Sequence, residues 1–194
     1  MLIETETTPN PRTLKFLPGE QVMAAGTRDF ATPEEAEASP LAAALFSTGD
    51  VEGVFFGRDF LSVTAAPGVG WPELKPRVLE VLLDHFASGA PLFAPASAQA
   101  LYVADDLVAD DDAADDPETA DVVAQIRDLI DTRVRPAVAN DGGDIVYRGF
   151  REGTVYLRLQ GACSGCPSSS MTLKNGIEQL LRHYVPEVSA VEAV

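Results

Sequence analysis

The chain has few of the residues that bind metals or form disulfides. Its 194 residues include two cysteines, Cys163 and Cys166, and two histidines, His85 and His183. Two closely spaced cysteines do not make a disulfide framework, and zinc or iron–sulfur sites usually have about four protein ligands. Either the cysteine pair carries out redox chemistry alone, or two chains combine their cysteines in one site.

Basic residues are also scarce. Lys and Arg number 14 against 30 Asp and Glu, so the formal net charge at pH 7 is −16. Nucleic acids and anionic membrane surfaces are bound by basic surfaces, so neither is an expected partner. No apolar run approaches the roughly 20 residues that a membrane-spanning helix requires.

The first residues lack the features of a targeting segment. Met1-Leu2-Ile3-Glu4-Thr5-Glu6 has neither the basic start and apolar stretch of a secretory signal nor the arginine-rich, acid-poor composition of a transit peptide. We therefore expect a reducing compartment, namely the cytoplasm of a bacterium. The mature form of a mitochondrial matrix protein is the alternative.

One abrupt change of composition divides the chain. Residues 94–117 are rich in Ala, Pro, Ser and Asp, with too little apolar surface to offset the entropy of ordering. The aspartates of this segment are Asp105, Asp106, Asp110, Asp111, Asp112, Asp115 and Asp116. We predict a flexible acidic linker over 94–117, which joins an N-terminal domain, 1–93, to a C-terminal domain, 118–194.

The N-terminal domain is predicted to be a β-rich α/β unit. Apolar periodicity and turn residues predict a strand over 13–17, a helix over 40–46, a hairpin with strands over 54–56 and 60–64, and an amphipathic helix over 71–86. We expect Pro76 to interrupt the last helix early. The sequence of this domain shows no nucleophile, no metal-ligand cluster and no glycine-rich phosphate loop, and we expect His85 to be structural.

The C-terminal domain has the clearer pattern. The predicted elements are a helix over 121–138, a tight turn over 141–144, a hairpin with strands over 145–150 and 154–159, a helix that begins at Pro167, and a last strand within 188–194. The two glycines of the turn, Gly142 and Gly143, provide positive φ or close backbone approach. The fold class is therefore α+β, built from two small α/β domains.

The cysteine pair lies on the loop between the second hairpin strand and a helix N-terminus. The spacing of Cys163 and Cys166 allows both sulfurs to face one metal, and a helix N-terminus lowers the pKa of a thiol. We expect the loop to lie outside the core, so that replacement of either cysteine leaves the fold intact. Three interpretations stay open here: a thiol–disulfide oxidoreductase, half of a shared zinc site, and half of a shared iron–sulfur site.

Longer motifs resemble a known family. In the C-terminal segment they are Arg135-Pro136, Asp141-Gly142-Gly143-Asp144, Leu159 to Ser169, Thr172 to Glu178 and Pro186-Glu187-Val188. This segment resembles the NifU C-terminal domain. In the N-terminal segment they are Thr8-Pro9-Asn10-Pro11, Leu14-Lys15-Phe16, Pro18-Gly19, Ser39-Pro40-Leu41, Val54 to Gly57 and Phe86 to Gly89. This segment resembles the Nfu N-terminal domain, and together the two resemble an Nfu-type iron–sulfur cluster scaffold or carrier.

The resemblance implies a function without catalysis. Cys163 and Cys166 of two protomers would bind one cluster between them, usually [4Fe–4S], and pass it to apo-proteins. The implied partners are a second copy of the chain, the client proteins and the upstream assembly machinery. A dithiol oxidoreductase that uses the same two cysteines is the alternative. Asp141 and Asp144 are expected to be turn and capping residues, whereas Arg135 and Lys174 could face the cluster or be structural.

Overall fold

The structure is a computed structural model that describes residues 2–94, 119–164 and 167–194. The chain forms two compact units, Met1–Leu107 and Val108–Val194. Their boundary falls among residues 95–118, which lie outside the described residues. The acidic linker therefore stays a prediction.

Within residues 2–94, the first unit is a five-stranded antiparallel sheet with three helices. Its elements are β1 Glu4–Thr7, β2 Thr13–Leu17, β3 Arg28–Phe30, α1 Pro33–Ala36, α2 Pro40–Phe46, β4 Val51–Phe56, β5 Leu61–Ala65 and α3 Trp71–Ser88. The strand order is β1-β2-β5-β4-β3. The predicted strand, hairpin and two helices are all present in this unit.

Side-chain caps begin the short helices. Ser39 Oγ accepts a hydrogen bond from the Ala42 amide at 3.2 Å, and Pro40 occupies the first turn of α2. Thr32 Oγ1 caps α1 in the same way. An N-cap hydroxyl satisfies an amide that has no partner within the helix, and proline is favoured in the first turn.

Two features of this unit differ from the prediction. Helix α3 continues through Pro76. Proline costs a hydrogen bond there, and burial of Leu74, Val78 and Leu82 offsets that loss. The sequence pattern also did not predict β1, β3 and α1. These elements are three or four residues long, and the two strands, Glu-Thr-Glu-Thr and Arg-Asp-Phe, have no apolar alternation.

The second unit packs helices on a three-stranded sheet. Its elements are α4 Ala120–Leu129, a π-helical segment Ile130–Val134, α5 Arg135–Asn140, β6 Gly143–Arg151, β7 Thr154–Gly161, α6 Pro167–Tyr184 and β8 Ala190–Ala193. The strand order is β6-β7-β8, with β8 parallel to β7. The predicted helix, hairpin, second helix and last strand are confirmed, although the last strand is shorter than the range given.

The first helical run contains a π-helical segment that the apolar pattern does not reveal. The segment ends two residues before Pro136. The proline ring cannot donate a hydrogen bond to the carbonyl four residues earlier and crowds it, and π segments commonly accommodate such a disruption.

The hairpin turn between β6 and β7 aligns the strands that lead to the cysteine loop. Glu152 and Gly153 both have positive φ, 49° and 79°. Two successive residues of positive φ are the pattern of a type I′ turn, which suits a twisted hairpin. The resulting register pairs Ile145 with Leu159 and Gly143 with Gly161, where the cysteine loop begins.

Candidate functional site

The cysteine loop begins where β7 ends. Gly161 has φ +65°, a conformation that favours glycine. Its carbonyl accepts hydrogen bonds from the Ser164 amide at 3.0 Å and from Ser164 Oγ at 2.8 Å. The Ala162 amide donates to the Gly142 carbonyl at 3.1 Å. These bonds fix the first half of the loop against the turn that precedes β6.

Cys163 is part of the hydrophobic core, contrary to the expectation of a peripheral loop. Its side chain is 7% exposed and belongs to the core of the second unit, together with Ile145, Val155 and Ile177. The register of the β6–β7 hairpin carries the loop back over the start of β6. The prediction that the loop lies outside the core was wrong for this cysteine.

Burial also reverses the expected acidity of this thiol. Desolvation, followed by the nearby carboxylates of Asp141 and Asp144, raises the pKa of Cys163 to about 12. A buried thiolate would lose its hydration and face two negative charges, so the neutral thiol is favoured at pH 7. A metal ion at the sulfur would reverse the balance, because its charge stabilises the thiolate.

The two glycines of the turn have different roles. Gly142 has φ +82°, and it allows the chain to reverse between α5 and β6. Gly143 allows close approach: a β-carbon there would lie 2.5 Å from the Gln160 carbonyl oxygen and 2.9 Å from Cys163 Sγ. The sequence predicted positive φ or close backbone approach for this glycine pair, but it did not show which glycine has which property.

Arg135 and Asp144 form a structural ion pair beside the loop. Arg135 Nε donates to Asp144 Oδ1 at 2.9 Å and Arg135 Nη2 to Asp144 Oδ2 at 2.7 Å. Arg135 also donates to Asp131 at 3.2 Å. The hydrogen bond to Asp144 raises the pKa of the guanidinium above its usual range. Asp144 is 4% exposed, and its carboxylate is held by the arginine, so the pair ties the end of the helical run to the start of β6.

Loss of this pair should destabilise the second unit. The Arg135→Met variant leaves the buried carboxylate of Asp144 without its bidentate partner. Because Arg135 itself is partly exposed, we expect a loss of about 2 kcal/mol, below the usual range for fully buried pairs. Arg182→Met is the matched control, since Arg182 and Glu178 form an exposed i,i+4 pair, and it should cost at most about 0.5 kcal/mol. Urea unfolding of the full chain measures both, and equal costs would contradict the structural role.

The remaining predicted site residues are placed as follows. Cys166 lies outside the described residues. Lys174 lies half-buried on α6. His85 packs edge-on against Phe86, and burial lowers its pKa. His183 packs edge-on against Tyr184. Within 2–94, 119–164 and 167–194, no group of three or more His, Cys, Asp and Glu side chains could hold a metal ion.

Comparisons with known proteins agree with the two units. Residues 3–89 match the model of the family described as "Scaffold protein Nfu/NifU N terminal", and residues 126–192 match the NifU-like domain. A relative from Homo sapiens, "NFU1 iron-sulfur cluster scaffold homolog, mitochondrial", is 46% identical over 195 residues, which cover 100% of this chain and 72% of that protein. The chain belongs to the Nfu family of iron–sulfur cluster scaffold proteins. The resemblance inferred from the motifs is thus confirmed.

Other Nfu relatives are similarly close. "NifU-like protein 4, mitochondrial" from Arabidopsis thaliana is 48% identical over 194 residues, which cover 99% of this chain and 65% of that protein. The chain therefore spans about two thirds of the length of these relatives. The solution structure of a NifU-like protein from Saccharomyces cerevisiae is 28% identical and covers 49% of this chain and 86% of its own, with a TM-score of 0.44.

The names of these relatives correct one expectation. The Arabidopsis, Drosophila and human proteins are all named mitochondrial. The expected bacterial cytoplasm is contradicted by this finding. The composition of the first residues did not decide the compartment. Among the described helices, none is long and apolar enough to cross a membrane.

Proposed function

We propose that this Nfu-family chain carries a [4Fe–4S] cluster that is bound between two protomers and passed to apo-proteins. Cys163 and Cys166 of each protomer would be the ligands. The observation that carries the proposal is that one chain has too few metal ligands for a complete site, although its cysteine loop is held by defined hydrogen bonds. Cys163 is held by the core, yet the described residues place no set of further metal ligands around it. Two thiols per chain become about four when a two-fold axis relates two loops.

A cluster that bridges two chains suits a cargo that must leave. Such a cluster has few protein ligands to break, and the thiols of a client can replace them one at a time. Each exchange leaves the number of iron–sulfur bonds unchanged. When the last carrier thiolate is replaced, the link between the protomers is lost with the cluster.

The chemistry of Cys163 favours metal binding over thiol redox catalysis. A dithiol oxidoreductase attacks its substrate with an accessible thiolate of lowered pKa. Cys163 is 7% exposed and burial raises its pKa to about 12, so its thiol is a poor nucleophile. We therefore propose a carrier and not an enzyme.

The family also suggests where the chain acts and what it meets. We propose a mitochondrial location, in keeping with the names of the relatives. The proposed partners are a second copy of the chain, apo iron–sulfur proteins that accept the cluster, and the machinery that builds it. The net charge of −16 opposes association of two chains in the absence of the bridging cluster.

Anaerobic reconstitution with iron and sulfide tests the proposal. Iron, sulfide and mass are measured on one sample before and after a chelator is added. We expect about four irons and four sulfides per dimer, and a return to the 20.6 kDa chain when iron is removed. A colourless monomer with a reversible disulfide between Cys163 and Cys166 would establish the oxidoreductase instead. Tight zinc without iron would establish a zinc-linked dimer.

A further inference from the structure

The sulfur of Cys163 occupies the space that a side chain at position 143 would need. A β-carbon on Gly143 would lie 2.9 Å from Cys163 Sγ, 3.2 Å from the Cys163 nitrogen and 2.5 Å from the Gln160 carbonyl oxygen. Real β-carbons essentially never show the two shorter distances, and the third is tight, because packed interiors tolerate little overlap. The sulfur therefore lies against the backbone of Gly143, in space that is open because glycine has no side chain.

Three contacts hold this arrangement together. Gly143 and Gly161 are directly paired across the β6–β7 ladder. The Ala162 amide donates to the Gly142 carbonyl at 3.1 Å, which fixes the residue before Cys163. On the other side, Asp144 is held by Arg135, so the first residues of β6 have little freedom to move. We call the surface formed by Gly143, Gln160 and Ala162 the Cys163 seat.

We propose that Gly143 is a positioning residue for cluster binding, which holds the Cys163 sulfur in one place and keeps it from solvent in the cluster-free protein. This inference rests on the proposed carrier function. The contacts of the seat order the backbone at Cys163 before a cluster arrives, so less conformational freedom is lost when its sulfur becomes a ligand, and this favours binding. The same seat protects the thiol from alkylating and oxidising reagents before a cluster arrives.

The seat can be tested first on the unaltered full chain. Cluster-free protein is treated anaerobically with iodoacetamide at one pH, native and in denaturant, and alkylation at Cys163 is followed by peptide mass spectrometry. We expect Cys163 to react at least tenfold more slowly in the native protein than in the unfolded chain. Equal rates would overturn the proposal, and this measurement does not depend on cluster binding.

Gly143→Ala then tests the positioning role. Its β-carbon must displace the sulfur or the strand, so we expect native Cys163 alkylation to rise at least tenfold and the iron bound per chain to fall by more than half. Gly176→Ala is the matched control, because a β-carbon at Gly176 on α6 meets nothing within 4 Å. In that variant, Cys163 should be alkylated as slowly as in the unaltered chain, and the iron content should be the same.

A second control separates positioning from loss of stability. Val155 is fully buried in the same core but does not form the seat, so Val155→Ala lowers stability while the sulfur keeps its place. Under conditions in which all variants are folded, Val155→Ala should keep the slow alkylation of Cys163. Fast alkylation in both Val155→Ala and Gly143→Ala would overturn the specific role of Gly143, as would normal iron content in Gly143→Ala. If Cys163 of the unaltered chain is alkylated slowly but the chain takes up no cluster, the proposed carrier function is refuted, whereas the shielding of Cys163 by the seat is supported.

Discussion

Replacement of Cys163 by alanine should remove the cluster and also weaken the fold. The thiolate is one of the two ligands that each protomer is proposed to contribute, so we expect no stoichiometric iron after reconstitution. The lost sulfur also leaves a cavity in the core of the second unit, because Cys163 is 7% exposed. We expect this cavity to cost about 1 to 2 kcal/mol of unfolding free energy. Iron analysis and urea unfolding of the full chain measure the two effects.

Two companion variants separate the ligand role from the core role. Cys166→Ala should also abolish cluster binding, since the two thiolates that remain in a pair of loops cannot complete the site. Val155→Ala should cost about 2 to 3 kcal/mol without removing iron, because valine is no ligand. Full iron content in Cys163→Ala would refute the assignment of this cysteine as a ligand. Loss of iron in Val155→Ala at temperatures where it is folded would show that stability alone governs binding.

Gly57→Ala should destabilise the first unit and leave cluster binding unchanged. A β-carbon at Gly57 would overlap the ring of Phe60, which is 4% exposed and packs on Phe55 with the ring centroids 6.0 Å apart. Lys15 Nζ also lies over that ring, 4.7 Å from its centroid. Because the ring is enclosed, it cannot rotate away, and we expect a loss of about 2 kcal/mol. Both cysteines lie in the second unit, so the iron content should be normal.

Gly53→Ala is the matched control, in strand β4, which ends directly before Gly57. A β-carbon at Gly53 would have ordinary contacts of 3.7 to 3.8 Å with Thr64 and Phe30. Alanine is also favoured over glycine in a strand, so stability should be unchanged or rise by up to about 1 kcal/mol. Loss of iron in Gly57→Ala, but not in Gly53→Ala, would mean that the first unit contributes to cluster binding.

Some features of the site could not be predicted from the sequence even where the elements were predicted correctly. Apolar periodicity and Pro167 predicted the strand–loop–helix order around Cys163. The Arg135–Asp144 ion pair could not be predicted, because the two residues lie on different elements, and only the reversal of the chain at Gly142 brings them together. A weak signal existed: an arginine and an aspartate that both fall within family motifs, close to a double-glycine turn.

The amino-acid sequence by itself determined most of the elements, the family and the number of thiols that one chain can offer to a metal. These features depend on local patterns: apolar periodicity sets the longer helices and strands, caps and turn residues set most boundaries, and the chain has two cysteines in 194 residues. Only the tertiary structure decided that Cys163 lies in the core on the backbone of Gly143, with its pKa raised and not lowered. The acidity of a thiol depends on what surrounds it in space. Burial, together with the carboxylates of Asp141 and Asp144, raises the pKa of Cys163.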